Sequence, residues 1–402
     1  MAVVCGGPRQ RSARRTIRVA QFVRSFHIGG TEVQALELLR GLPHDDELHL
    51  AVTHEAGPLM EKVWALGHLP AVFSFHGSIK KPNTLFQVMR FARWLLHERI
   101  ELVHSHDFYV TMIAVPAAKL AGVKVVVGRL DLAHFHTLAQ RRALVALTRA
   151  ADHVVANAEA IRRMLVLEES IPDSKITVIH NGIDFARFEQ RRRARLEQPL
   201  PDVGEAPILV HVANMTHPVK RQEDLLEALA ILASNGSPVH AFFVGDGARR
   251  SELEAMAARV GVATRAHFLG LRTDVPAILA RATLGVLCSS AEGLSNAVVE
   301  GMAAGLPIVA TRVGGNPDLI SDGERGYLVP PYSPEAIAEA VRRVLADPAR
   351  ARRMGAEARA FVQRELTVQR LCERHDGLYR ALLDGVPRAE ASARQLSLGE
   401  PF

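Results

Sequence analysis

The sequence predicts an α/β protein of two successive domains, each a parallel sheet covered on both faces by helices. Three observations predict it. At 402 residues the chain exceeds what one hydrophobic core ordinarily supports, about 250–300 residues, and suits two domains. Short β-rich runs alternate with helical ones along most of its length, the pattern of parallel strands joined by crossover helices. That rhythm breaks once, after Ile183, where arginines and then Pro199, Pro201 and Pro207 intervene, and it starts afresh from Pro207.

Taken in order, the first half reads as a strand over 17–23, a helix over 31–42, a strand over 48–53 and a helix over 58–66. A strand at 102–104, a helix at 110–120, a strand at 124–127, a helix at 139–149 and a strand at 153–156 follow. The second half reads as strands at 208–212, 240–244, 266–269, 284–287 and 307–310, separated by helices at 222–233, 251–260, 275–281 and 296–304, with a long helix at 334–345. The expected organisation is a first domain over 16–188, a linker over 189–206, a second domain over 207–375, a C-terminal helix over 376–386 and a loose tail over 387–402.

Composition excludes several classes. Hydrophobic residues at 48% with charged residues at 23% describe a globular chain able to bury a large core, not a disordered or fibrous one. The formal charge of +6 is too small to point to nucleic acid. Its placement is more telling: Arg9, Arg11, Arg14 and Arg15 precede the first strand, and Arg191, Arg192, Arg193 and Arg195 lie in the expected linker. These read either as solvated arginines or as contacts to an anionic membrane face. The segment over 85–96 mixes arginine and aromatic residues on an amphipathic helix, which suits a membrane-facing helix or a packed core helix alike.

Cys5, Cys288 and Cys372 have no paired spacing, so neither a disulfide framework nor a metal site is expected. The run over 17–26 is interrupted by Arg18, Gln21 and Arg24, which excludes a secretory h-region there. A cytoplasmic protein is expected, attached at most to the inner face of a membrane.

Chemistry in open parallel sheets is sought in the loops beyond the carboxyl ends of the strands. After the first strand, Gly29 and Gly30 open a helix, which suits close approach of a phosphate or is a plain turn. A third glycine of the dinucleotide fingerprint is missing, against hydride transfer. After the strand at 284–287 comes Ser289-Ser290-Ala291-Glu292-Gly293-Leu294-Ser295-Asn296, with Glu300 inside the following helix. Loop carboxylates there suit sugar or ribose hydroxyls, and the helix start suits phosphate. A glutamate inside an apolar helix is costly to bury without a partner, unless Glu300 simply faces water.

The two glutamates, followed by Pro307-Ile308-Val309-Ala310-Thr311 and Val313-Gly314-Gly315, closely resemble the signature of the retaining glycosyltransferase family four. Val178-Ile179-His180-Asn181-Gly182-Ile183-Asp184, Gly245-Asp246-Gly247 and Phe268-Leu269-Gly270 resemble further segments of that family, in its order and spacing from about Gly29 to Leu328.

The resemblance implies two facing Rossmann-like domains (the GT-B architecture), a nucleotide sugar held by the second domain, and a C-terminal helix returning to the first. It implies that Glu300 binds the donor ribose, Glu292 the transferred sugar, Gly293 and Leu294 offer backbone donors beside Ser295, and Lys220 neutralises the leaving diphosphate. Gly29, Gly30, Gly245 and Gly270 complete the expected donor surface.

Asn214 stands where the family usually has arginine, so Arg221 or a first-domain group would have to supply a second cation. His106 is the candidate contact to the donor sugar, and Asp131, His134 and His136 are alternatives on the acceptor side. No metal or cofactor is expected, because a fixed ammonium with helix N-termini answers the leaving-group charge. The expected partners are a nucleotide-sugar donor and a glycan or lipid-linked acceptor of cell-surface polysaccharide synthesis. The rival readings are an inactive nucleotide-sugar-binding protein and a nucleotide-sugar epimerase on the same fold.

Overall fold

The computed structural model describes residues 14–27, 29–43, 46–74, 82–131 and 137–385. The first lobe begins β1 (Arg18–Val23), α1 (Gly30–Gly41), β2 (Glu47–Val52), α2 (Met60–Ala65), β3 (Ala71–Val72) and α3 (Pro82–His97). It continues β4 (Leu102–Ser105), α4 (Phe108–Ala121), β5 (Lys124–Arg129), α5 (Leu138–Ala150), β6 (His153–Ala156), α6 (Glu159–Leu167) and β7 (Ile176–Val178), followed by α7 (Phe185–Arg192). The second lobe runs β8 (Ile208–Val212), α8 (Gln222–Ser234), β9 (His240–Val244), α9 (Arg250–Arg259), β10 (Ala266–Gly270), α10 (Val275–Leu279) and β11 (Leu284–Leu287). Then come α11 (Asn296–Ala303), β12 (Ile308–Thr311), α12 (Asn316–Leu319), β13 (Gly326–Val329), α13 (Pro334–Ala346), α14 (Pro348–Glu365) and α15 (Val368–Asp384).

Both sheets are parallel, in the orders β3-β2-β1-β4-β5-β6-β7 and β10-β9-β8-β11-β12-β13. Every residue of β11 and β12 is buried, as a strand covered on both faces requires. Strand order reverses between β1 and β4 in the first sheet and between β8 and β11 in the second, and the loops leaving these strands flank a crevice at each reversal. Caps turn the loops into helices at the same end of the sheets. Asp107 accepts from the Tyr109 and Val110 N–H groups to start α4, and Ser295 accepts from Val298 N–H to start α11.

The chain crosses between lobes at Gly182–Asp184 and returns at Leu366–Val368, and the two crossings bond to each other. Ile183 N–H donates to Leu366 O at 2.8 Å and Val368 N–H to Ile183 O at 3.2 Å. Gln34, buried on α1, grips the Gly182 backbone at both its N–H (2.9 Å) and its carbonyl (3.1 Å). These crossings differ from the sequence expectation. α7 packs on α10 of the second lobe instead of closing the first, and α15 starts at Val368, eight residues before the expected 376. Its residues Leu371, Cys372 and Tyr379 join Ile17, Val19, Leu38 and Leu102 in one buried cluster of the first lobe.

Of the arginines read as solvated or membrane-bound, Arg9 and Arg11 lie outside the described residues, and five of the others make contacts within the fold. Arg192, Arg193 and Arg359 converge on Glu189, Arg191 bonds the Thr273 carbonyl, Arg14 pairs with Asp376 and Arg15 with Glu101. The expected linker is held down as well, since Asp274 accepts from Glu197 N–H and Arg272 donates to Gln198 O. α3 is a core helix with a second character. Phe91 lies 4.6 Å from Phe22 and 5.5 Å from Trp94 between ring centres, while Leu85, Phe86, Met89 and Leu96 remain exposed. Among the described residues no helix is long and apolar enough to cross a membrane.

A polar chain inside the first lobe docks α15. His106 Nε2–H donates to Gln21 Oε1 (2.6 Å), the Gln21 amide donates to the Tyr379 phenol (3.3 Å), and that phenol donates to His104 Nδ1 (2.8 Å). Burial pushes both histidines down, His106 to about 3 with help from the neighbouring His375, so the rings are neutral. We expect Tyr379→Phe to strand His104 Nδ1 and the Gln21 amide and to destabilise the protein by about 1–3 kcal/mol, read as a lower urea midpoint; an unchanged midpoint would show that the chain contributes nothing to the docking of α15.

Candidate functional site

The loops after β8 and β11, on either side of the second sheet's reversal, are tied together by Ser290 N–H donating to Val219 O at 2.8 Å. This brings two of the sequence-predicted residues into contact. Lys220 Nζ donates to Glu292 Oε1 at 2.7 Å, and Ser289 Oγ donates to the same oxygen at 2.6 Å. The loop carrying Glu292 is backed from behind. Thr311 Oγ1 bonds Ser289 O (2.6 Å), and Gly315 N–H bonds Gly293 O (2.7 Å). Gly314 permits this contact: its φ is +51° and a Cβ there would lie 1.9 Å from Glu292 O.

The first lobe closes over this loop. A Cβ at Gly293 would lie 2.1 Å from Leu130 O, at the carboxyl end of β5. Asn181 Nδ2 donates to Asn296 Oδ1 at 2.8 Å, and Asn296 Nδ2 would meet a Cβ at Gly30 at 3.2 Å. The Gly29–Gly30 turn of one lobe thus faces the N-terminus of α11 in the other, with Leu294 and Ser295 buried at its start. The backbone N–H groups and the helix dipole at this end of α11 favour negative charge. Glu32 lies beside the turn, its carboxyl against Gly29 and raised by burial.

The two glutamates occupy opposite environments. Glu292 is ion-paired, whereas among the described residues no hydrogen bond or ion pair holds the Glu300 carboxyl. Burial pushes Glu300 up to about 7, opposed only by the charge of Arg191.

The other predicted residues divide. Gly245 and Gly270 sit at the ends of β9 and β10, joined by Gly245 N–H to Gly270 O at 2.9 Å. Asn214 is exposed in the loop after β8, its Oδ1 accepting from Thr216 N–H. Arg221 is not spare: Glu223 and Asp224 hold its guanidinium, which lies 4.6 Å from the Tyr332 ring centre. His106 is buried on Gln21. Asp131 is exposed just beyond β5, and His134 and His136 lie outside the described residues.

Sequence reasoning missed Ser289, Asp107 and Gln21. Ser289 stands inside a segment already singled out, and Asp107 directly follows His106. Gln21 carried a signal in being a lone amide in an apolar strand. Asp107, which also accepts from Arg24 N–H, is pushed up to about 6 by burial.

The Glu300 environment makes a signed prediction. The unfolded carboxyl ionises near 4.5 and the folded one near 7, so between these values the unfolded state binds fewer protons and this residue's contribution to stability falls as pH rises. Glu300→Gln lacks that slope. Its stability relative to the wild type should therefore climb across this window and level off above it in urea titrations, and a pH-independent difference would contradict the assignment.

Comparison with known proteins bears on the whole arrangement. Residues 28–187 match the protein family described as Glycosyltransferase Family 4, and residues 206–347 match that described as Glycosyl transferases group 1. The chain is similar to N-acetyl-alpha-D-glucosaminyl L-malate synthase of Bacillus anthracis, 28% identical over 212 residues covering 53% of this chain and 55% of that protein. It is also similar to D-inositol 3-phosphate glycosyltransferase of Streptomyces scabiei, 30% identical over 296 residues covering 65% of this chain and 64% of that protein. These matches span about half to two thirds of the curated relatives' length. Among solved structures, Anabaena HepE in complex with UDP superimposes with a TM-score of 0.79 at 21% identity, covering 91% of this chain and all of HepE, which shows a shared fold of two Rossmann-like domains. Two family descriptions, one on each lobe, together with that fold lead to one conclusion: the chain belongs to glycosyltransferase family four.

Proposed function

We propose that the chain transfers a sugar from a nucleotide diphosphate sugar to a hydroxyl acceptor, with retention of anomeric configuration and without a metal. The observation that carries this reading is the Lys220–Glu292 pair, set in the crevice of the second sheet beside the N-terminus of α11. Transfer breaks the bond between the anomeric carbon and the diphosphate, and negative charge grows on the leaving oxygen. The Lys220 ammonium and the first N–H groups of α11 are positioned to receive that charge. Glu292 is placed to accept hydrogen bonds from hydroxyls of the transferred sugar, and the unpartnered Glu300 from the ribose hydroxyls. The donor phosphate itself accepts the acceptor's proton on the same face, so no separate base is required. HepE, solved with UDP and with UDP-glucose, supports a nucleotide-sugar donor by similarity.

The test is calorimetry of the purified protein with UDP, GDP, ADP and their sugar conjugates, with and without EDTA, followed by product analysis by NMR. One nucleotide should bind selectively and independently of EDTA, and the product anomer should match the donor. Binding without turnover would leave an inactive binder, and a free epimerised donor would make it an epimerase. Glu300→Ala should weaken donor binding by about 1.5–3 kcal/mol, the worth of lost charged hydrogen bonds. Lys220→Ala should lower turnover in a folded protein.

The acceptor we propose is a glycan or lipid-linked glycan of cell-surface polysaccharide synthesis, met at a membrane face. The support is α3, whose Leu85 and Phe86 are 68% and 61% exposed, with Met89, Leu96 and Arg93 exposed on the same helix and Leu120 on the neighbouring α4. An apolar stripe edged by arginine suits the boundary of an anionic bilayer. Phe86→Glu combined with Leu96→Glu should abolish co-sedimentation with anionic phospholipid vesicles. Equal sedimentation of both proteins, or none by the wild type, would overturn the membrane contact.

A further inference from the structure

We propose that Asp318 is a positioning residue that couples closure of the lobes to placement of the Glu292–Gly293–Leu294 loop. The helix α6 of the first lobe begins without a cap of its own, because its N-cap residue is Ala158, whose side chain accepts nothing. The acceptor comes from the other lobe. Asp318 Oδ2, on α12, takes the first N–H of α6, that of Glu159, at 2.7 Å, and His180 Nε2 of the first lobe lies 3.5 Å from the same oxygen. The Asp318 side chain is only 11% exposed, so its charge is enclosed by contacts that exist only while the lobes are together.

From Asp318 two backbone bonds lead to the reacting loop. Asp318 N–H donates to Gly315 O at 3.0 Å, and Gly315 N–H donates to Gly293 O at 2.7 Å. Gly315 is also closely packed, since a Cβ there would lie 2.8 Å from the Ala158 side chain and 2.9 Å from Leu294. When the lobes part, α6 loses its cap and Asp318 its partners. When they meet, the 313–318 segment is pressed between α6 and the Glu292 loop. The carboxylate thus rewards the one arrangement in which Gly293 sits against Leu130 and Asn181 holds Asn296.

The test uses the full-length chain without ligand, and only its last readout rests on the proposed transfer. In Asp318→Ala, hydrogen exchange of the first turn of α6 should accelerate about fivefold, the scale of one lost helix cap. X-ray scattering should show a longer molecule, while exchange in β12 and β13 of the second lobe stays at the wild-type rate. Asp318→Asn, which keeps an acceptor and drops the charge, should move both readouts less in the same direction, and it carries the test if the alanine variant does not fold. In transfer assays kcat should fall and the donor KM should rise, because the loop that Asp318 positions carries the proposed donor contacts of Glu292. Wild-type exchange and dimensions in both variants would overturn the coupling. A wild-type protein that transfers no sugar would overturn the transfer reading and leave exchange and scattering to decide this one.

Discussion

Two stretches of backbone join the lobes, and they are bonded to each other: Ile183 takes part in hydrogen bonds to both Leu366 and Val368, while Gln34 clamps Gly182 from the side. A paired crossing of this kind removes most of the freedom that a single tether would leave and makes the lobes rotate about one short seam. A side chain at Gly182 would run into Thr367 O at 2.8 Å, so the seam closes only around a glycine. The facing of the two sheets' carboxyl ends, and with it the cleft, depends on this seam.

Each sheet contributes its reversal of strand order to that cleft, and the chemistry there follows from charge in a confined space. Lys220 and Glu292 satisfy one another, which is how a half-buried cation and anion are held without a ligand. Glu300 has no such partner and is pushed towards its neutral form. Two carboxyls on one short segment therefore differ in surroundings, because one loop folds back to a lysine and one helix leaves its glutamate without an ion-pair partner. Under the proposed transfer, a donor would find one carboxyl already held by a lysine, and another whose ionised form it favours by donating hydrogen bonds to it.

Rigidity around the cleft rests in part on buried ion pairs. Arg129, at the cleft end of β5, is fixed by both oxygens of Glu169 at 2.7 and 2.8 Å, and Arg272 by Asp274. Breaking either by removing one partner would leave a buried charge alone, which costs far more than the pair contributes. The same logic docks α15: a helix from the end of the chain is joined to the first lobe by a phenol shared between Gln21 and His104.

Much of this was legible in the residues. Strands at 153–156, 208–212, 240–244 and 284–287 fall where the apolar runs and their turns place them, because strands covered on both faces read as nearly continuous apolar runs, here interrupted only by His153, His211 and His240. The Glu292 and Glu300 segment and the Gly29–Gly30 turn stood out by residue type, with a plain turn and a water-facing Glu300 left open, and Lys220 stood out through the family resemblance. What the local pattern could not hold was distance in the chain. That Lys220 meets Glu292, that Glu189 gathers three arginines, that His106 turns inward to Gln21, and that Asp318 caps a helix of the other lobe are contacts between residues 3 to 170 positions apart. Periodicity reports which face of an element is buried but not what covers it. The partner of a charge, and hence its ionisation and its use, is decided only when the lobes close.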